Sequence, residues 1–172
     1  MTREISRRKR KKKAAGCLVL SRRTGRFLFC RRPAGAPAAG KWSLWAGKTE
    51  QGENPSETAR RELCEETGLE IIEFPEHVHR MTTSAFQFDT FCVVVDDEFM
   101  PKRTAESDGY AWAPLEGVPT PVHWGLEKLL SDKRAISILS KVVERESGRP
   151  CAPEPFGKLR KSRIRARQSR MK

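Results

Sequence analysis

Two short apolar runs open the patterned part of the chain. AAGCLVL (residues 14–20) and RFLFCRR (26–32) are separated by SRRTG, and together they predict a β-hairpin with Gly25 in its turn. PAGAPAAGK (33–41) is a loop of small residues. KWSLWAG (41–47) reads as one short strand that stops at a glycine, and KTEQGENP (48–55) returns to loop. Asn54-Pro55-Ser56-Glu57 then carries the marks of a helix start: a capping side chain, a proline suited to the first helical position, and a glutamate three residues after the cap. The helix runs to about Thr67, where Gly68 stops it. Its apolar stripe is thin, Ala59 and Leu63 one turn apart with help from Thr58, and the rest of its surface is almost all charge.

Further along, EIIEF (70–74), SAFQFDTFCVVVDD (84–97) and YAWAPL (110–115) predict strands, with HVHRMTT (77–83) a weaker one. Residues 121–130 and 133–146 predict two helices, the second lined by Ile136, Leu139 and Val143 with Ala135 and Val142. Residues 148–157 form a Pro/Gly-rich linker. No internal repeat is visible. Strands mixed with helices imply an α/β domain with a mixed sheet over residues 14–147.

The 172 residues suffice for one domain with a core, yet only 37% are hydrophobic. With a mean hydropathy of −0.64, this suggests a globular centre with polar attachments. No run approaches the roughly 18 to 20 apolar residues of a membrane span, and the basic N-terminus lacks a signal peptide's apolar stretch. The five cysteines, Cys17, Cys30, Cys64, Cys92 and Cys151, include no C-x-x-C pair, which argues against structural zinc. Cys17, Cys30 and Cys92 sit in apolar runs and read as small core residues. The setting expected from this is reducing and intracellular: cytoplasmic, or nuclear in a eukaryote given the basic runs.

Charge divides the chain. Residues 1–13 hold eight Lys/Arg and one Glu, and residues 158–172 hold eight Lys/Arg and no acid. Removing these tails, at +7 and +8, from the chain's +12 leaves −3 for residues 14–157. Basic blocks of this kind serve as solvated arms or bind polyanions. Arg8, Arg10 and Lys12 at one end and Arg160, Arg163 and Arg167 at the other are the candidate nucleic-acid contacts.

Against that acidic body, RRELCEETG (60–68) places Glu62, Glu65 and Glu66 at i, i+3 and i+4 of the predicted helix, on one side of it. Taken alone, such a segment is an ordinary solvated helix face. Its lead-in changes the weighing. From Gly47, five residues lead to Glu53, seven more to Arg61-Glu62-Leu63, then one residue, Glu65-Glu66, one residue, and Gly68-Leu69. Crowded carboxylates repel, and a hard divalent cation with oxygen ligands relieves the repulsion. Glu62 and Glu66, one turn apart, are the natural pair to span a metal. Glu53 can reach over from the preceding loop, and Arg61 can orient a carboxylate.

This spacing resembles the Nudix box, G-x5-E-x7-R-E-U-x-E-E-x-G-U with U a bulky aliphatic, at every specified position. The box covers 23 residues, and the order of flanking strands is similar to that family over roughly 12–147. The resemblance implies a Nudix-type α/β/α sandwich around a mixed sheet. It also implies a Mg²⁺-dependent hydrolase, with Mn²⁺ as a possible substitute, that uses metal-activated water on the diphosphate linkage of nucleoside di- or triphosphates or their derivatives. By motif position Glu62, Glu65 and Glu66 are metal ligands, with the Gly47 carbonyl beside them. Glu62 is the candidate base with Glu53 the alternative, and Arg61 orients the carboxylates. A later acid often completes such sites, and Glu106 fits best, then Glu98.

Trp45-Ala46 stands where many members have Pro-Gly, which requires Ala46 to keep φ negative. Trp42, Trp45 and Phe86 are candidate base-stacking residues, each with core packing as the competing reading. The proline typical of ADP-ribose hydrolases, near Ala85, and the tyrosine typical of dinucleoside polyphosphate hydrolases, near Gln87, are both absent. Three readings follow: a hydrolase of free nucleotides, an RNA 5′-end pyrophosphohydrolase or decapping enzyme that holds RNA with the basic tails, and a non-catalytic nucleotide- or nucleic-acid-binding module.

Overall fold

The computed structural model describes residues 11–73, 75–102 and 104–151. Arg8, Arg10, Arg160, Arg163 and Arg167 lie outside them. The central strand β1, Lys12–Ser21, begins two residues before the expected domain start and is buried from Ala14 onward. A strand buried on both faces needs cover on both, and the rest of the chain supplies it.

Along one edge β1 pairs in parallel with β6, Phe86–Val95, over its whole length. The other edge is shared by two antiparallel partners. These are β2, Phe27–Arg31, across the turn where Gly25 has φ 68°, and β4, Trp45–Lys48. β2 also carries β3, Trp42–Ser43, and β7, Gly109–Ala113, while β5, Glu76–Thr82, closes the far side against β6. KWSLWAG is therefore two strands. The chain steps at Leu44 from the edge of β2 to the edge of β1, and this step sends Leu44 and Trp45 to opposite faces of the sheet.

On one face, Ala15, Cys17, Val19 and Trp45 pack under Ala59 and Leu63 of α1, Pro55–Thr67. On the other, Leu18, Leu20, Phe27 and Phe29 pack under α2, Trp124–Ser131, and α3, Lys133–Ser147. The result is the expected α/β/α sandwich around a mixed sheet. Among the described residues no helix is long and apolar enough to cross a membrane.

The start of α1 forms as its sequence dictates. Asn54 Oδ1 accepts from the Ser56 and Glu57 backbone N–H groups, and Glu57 returns a bond to the Asn54 N–H at 2.8 Å. Gly68 ends the helix with φ 77°.

Two further expectations fail. Residues 70–73 form no strand, because no sheet edge receives them: Ile72 is 93% exposed, and the Ile71 carbonyl accepts from Arg60 instead. Residues 121–123 are extended rather than helical. Trp42 donates to the Pro121 carbonyl and accepts from the His123 N–H, so α2 begins only at Trp124.

Gly16 sets how closely β4 approaches β1. A Cβ there would lie 2.4 Å from Ala46 Cβ and 2.5 Å from the Trp45 carbonyl oxygen. Backbone cannot swing aside as a side-chain tip can. Gly16→Ala is expected to destabilise the domain by about 1–3 kcal/mol or more, measured as a lowered urea midpoint at unchanged slope.

Candidate active site

The site begins with a missing side chain. Gly47 lies on β4 where α1 crosses it, and the Glu62 carboxylate occupies the space a side chain would fill: a Cβ at Gly47 would stand 2.0 Å from Glu62 Cδ. One residue earlier, the Ala46 N–H lies on the edge of β4 turned away from β1 and donates to Glu66 Oε2 at 3.0 Å. Ala46 needs no glycine for this. Among the described non-glycine residues only Ala38 has a positive φ.

Glu106, from the loop before β7, completes a cluster. One oxygen from each of Glu62, Glu66 and Glu106 lies within 4.8 Å of the others. The loop is placed by β7, whose pairing with β2 continues in a bond from the Asp108 N–H to the Arg31 carbonyl. Glu66 is 8% exposed. Burial, and then the neighbouring carboxylates of Glu106 and Glu62, push its pKa up to about 9. Burial also raises Glu62, with Arg61 opposing the shift.

Arg61 ties the cluster to the loop ahead of the helix. Its guanidinium donates to Glu53 Oε1 at 2.7 Å and Oε2 at 3.1 Å, to Glu62 Oε1 at 2.9 Å, to Glu65 Oε2 at 3.1 Å and to the Lys48 carbonyl at 2.9 Å. Glu53 also accepts from the Glu50 N–H and the Thr58 hydroxyl. With both oxygens engaged, and Arg61 the chief cause, its pKa falls to about 2.

A glycine seat for one glutamate, an arginine hub and carboxylates one helical turn apart now stand together, and comparison with known proteins agrees with them. The NUDIX domain family model matches residues 10–133. This chain belongs to the Nudix family. It is 32% identical over 107 residues to an oxidized purine nucleoside triphosphate hydrolase of Danio rerio, and the match spans 62% of each protein. Its fold is similar to a Nudix hydrolase of Nitrosomonas europaea, with TM-score 0.55 and 24% identity over 83% of this chain and 76% of that one. It is also similar to an Ap4A hydrolase of C. elegans, with TM-score 0.56 and 19% identity over 79% and 99%.

The structure sorts the residues predicted for this Nudix site. Glu62, Glu66, Gly47 and Glu106 come together. Glu65 does not join the three clustered carboxylates. It precedes Glu66 by one residue, about 100° around the helix, and its 59%-exposed side chain meets Arg61. Glu98 is taken elsewhere, by a two-point pair with Arg26 at 2.6 Å. Trp45 is 1% exposed in the core beneath α1 and presents no stacking surface, which corrects its place among the base contacts. Trp42 and Phe86 stay partly exposed, Phe86 with its ring 6.2 Å from that of Phe88.

The sequence reading missed the Ala46 N–H, the Lys48 carbonyl and the Thr58 hydroxyl. The first two are backbone groups with no side-chain signature. Thr58 was visible only as part of the apolar stripe.

Proposed function

We propose that this chain is a Mg²⁺-dependent pyrophosphohydrolase of nucleoside triphosphates or related nucleoside diphosphate derivatives, with Mn²⁺ able to substitute. The observation that carries the reading is Glu66: a carboxylate buried against Glu62 and Glu106, with one backbone N–H, that of Ala46, donating to it among the described residues. Such a cluster suits a hard divalent cation and little else. Glu62, Glu66 and Glu106 would hold the ion, whereas the pairing of Gly47 with Ala15 turns the Gly47 carbonyl toward β1 and leaves the Ala46 backbone facing the cluster. A cation there would offset phosphate charge and acidify a water.

The chain's own groups divide the remaining work. Glu53 is locked to Arg61 and acts as its anchor, which favours Glu62 as the proton acceptor. Arg61 holds the Glu62 carboxylate in orientation while leaving its second oxygen outside that bond. Trp42 and Phe86 are the candidate base contacts. The name of the zebrafish relative supports a nucleoside triphosphate as substrate.

The test is a panel of nucleoside triphosphates and diphosphate-linked nucleotides with Mg²⁺ and with Mn²⁺. Glu62→Gln is expected to lower kcat by about 10²–10⁴-fold. If it keeps wild-type rates while Glu53→Gln does not, the base is Glu53. If the wild type cleaves no compound with either metal, the hydrolase reading falls and a nucleotide-binding module takes its place.

A further inference from the structure

α2 opens on a histidine. His123 is its N-cap, and the imidazole Nδ1 accepts the Gly125 N–H at 3.2 Å. Serine, threonine, asparagine or aspartate usually fills this place, each with an oxygen that accepts at neutral pH. An imidazole nitrogen accepts only while it carries no proton, so this cap requires neutral His123 with its hydrogen on Nε2. Gly125 makes room for the ring, since a Cβ there would stand 3.3 Å from Nδ1.

The cap residue is also part of a clamp on the sheet. The Trp42 N–H donates to the Pro121 carbonyl at 2.8 Å, and the His123 N–H donates to the Trp42 carbonyl at 2.8 Å. Val122, between them, forms a parallel bridge with Trp42 and packs in the same core as Leu126 of α2. Trp42 is thus gripped at both backbone groups by the residues that lead into α2, and the last of these is the cap. Its ring packs against that core while remaining partly exposed. Trp124, the first residue of α2, has its ring 5.4 Å from that of His123.

Of the three histidines, two stand against acids, His77 at 2.8 Å from Asp89 and His79 at 3.7 Å from Asp132. His123 is placed the other way. No carboxylate pairs with it among the described residues. Arg32 and Lys41 lie near it from the loop ahead of β3, β3 itself brings no charge, and Glu127 on α2 is exposed. Burial first, then the two cations, lower the His123 pKa. A proton on the ring would set a positive charge at the helix's positive end. It would also turn Nδ1 from an acceptor into a donor facing the Gly125 N–H.

Resting on the hydrolase reading and its Trp42 contact, we propose that His123 is a positioning residue. Its neutral ring caps α2 and so fixes Trp42 for the nucleobase, and protonation breaks the cap and frees the clamp. Nucleotide binding is then tight above neutrality and weakens in acid, while the chemical step at the acidic cradle keeps its own pH profile.

The test compares full-length wild type, His123→Asn, His123→Ala and Gly125→Ala from about pH 8 to 5.5 with saturating Mg²⁺. Asparagine caps a helix without titrating. Three quantities are read: the Kd of a non-hydrolysable imido analogue of ATP, kcat for ATP, and the ring resonances of the histidines, with His123 assigned by its absence from His123→Asn. As pH falls, the wild-type Kd should rise about fivefold more than that of His123→Asn, the scale on which a lost cap acts. Titration of the nucleotide's own phosphates is common to both. His123→Ala should bind about fivefold more weakly than His123→Asn at pH 8, Gly125→Ala should shift the same way, and kcat should follow one pH profile in all four. The His123 ring should titrate below the ordinary histidine value and carry its neutral hydrogen on Nε2. Parallel Kd curves in wild type and His123→Asn, equal Kd in His123→Ala and His123→Asn at pH 8, or a neutral ring with its hydrogen on Nδ1 would each overturn the assignment, as would absence of binding at every pH. Any of these with ATP still cleaved leaves the hydrolase reading intact. Binding that follows His123, in a protein that cleaves no ATP, would sink the hydrolase reading and keep the cap.

Discussion

Glu66→Gln is expected to abolish nucleotide cleavage while making the metal-free protein less sensitive to pH. A residue that merely supports a metal ligand costs 10–100-fold when lost, so a ligand of the cluster should cost at least about 10²-fold. The stability effect runs the other way. The folded-state pKa of Glu66 is raised to about 9 from an ordinary 4.5. Between those values the folded protein holds a proton that the unfolded chain has released, so stability falls as pH rises. The fall begins near the unfolded value and is complete above the folded one. Without metal, the wild-type Tm should drop from pH 5 to pH 9 by about 5 °C or more. Mg²⁺ should restore it at the alkaline end, because an ion bound only by the folded state stabilises that state. Glutamine carries no proton to lose, so Glu66→Gln should flatten both responses. Melting curves at several pH values, with Mg²⁺ or with chelator, check this. An unchanged pH slope in Glu66→Gln would mean that Glu66 is not the buried, proton-holding member of the cluster.

Gly47→Ala should separate folding from activity in the opposite manner to Gly16→Ala. Both glycines face a clash, but with different partners. The atoms crowding Gly47 are the carboxylate end of Glu62, a flexible side chain, whereas those crowding Gly16 include backbone. Glu62 can swing away from a new methyl group, so the fold should survive with a stability loss of no more than about 2 kcal/mol. The swing takes Glu62 out of the cluster and away from Arg61, and cleavage should fall by about 10²-fold, the scale of a misplaced catalytic group. A Gly47→Ala protein that cleaves nucleotides at the wild-type rate would show that Glu62 need not sit against β4.

Where local interactions decide, the sequence was enough. Asn54, Pro55 and Glu57 state the start of α1 and Gly68 its end, because capping is settled within a few residues. Ala59 and Leu63 state which side packs, and the unbroken apolar run through residues 14–20 states a strand that needs cover on both faces. The errors came where a partner strand decides. EIIEF is apolar enough for a strand, yet its described residues pair with no strand, and KWSLWAG splits because β2 takes one half and β1 the other.

The same division runs through the site. The sequence by itself determined the identity and spacing of the acidic cluster, since Glu62 and Glu66 fall one turn apart on any helix, and it determined that the chain's positive charge lies in its two ends. Only the tertiary structure decided that Glu106 rather than Glu65 stands with them, that Glu53 is spent on Arg61, and that Trp45 is core. Helical periodicity and composition are properties of neighbours along the chain. Which loop closes over a carboxylate, and which strand edge a helix side chain meets, depend on pairings between segments far apart in sequence, and no local pattern encodes those.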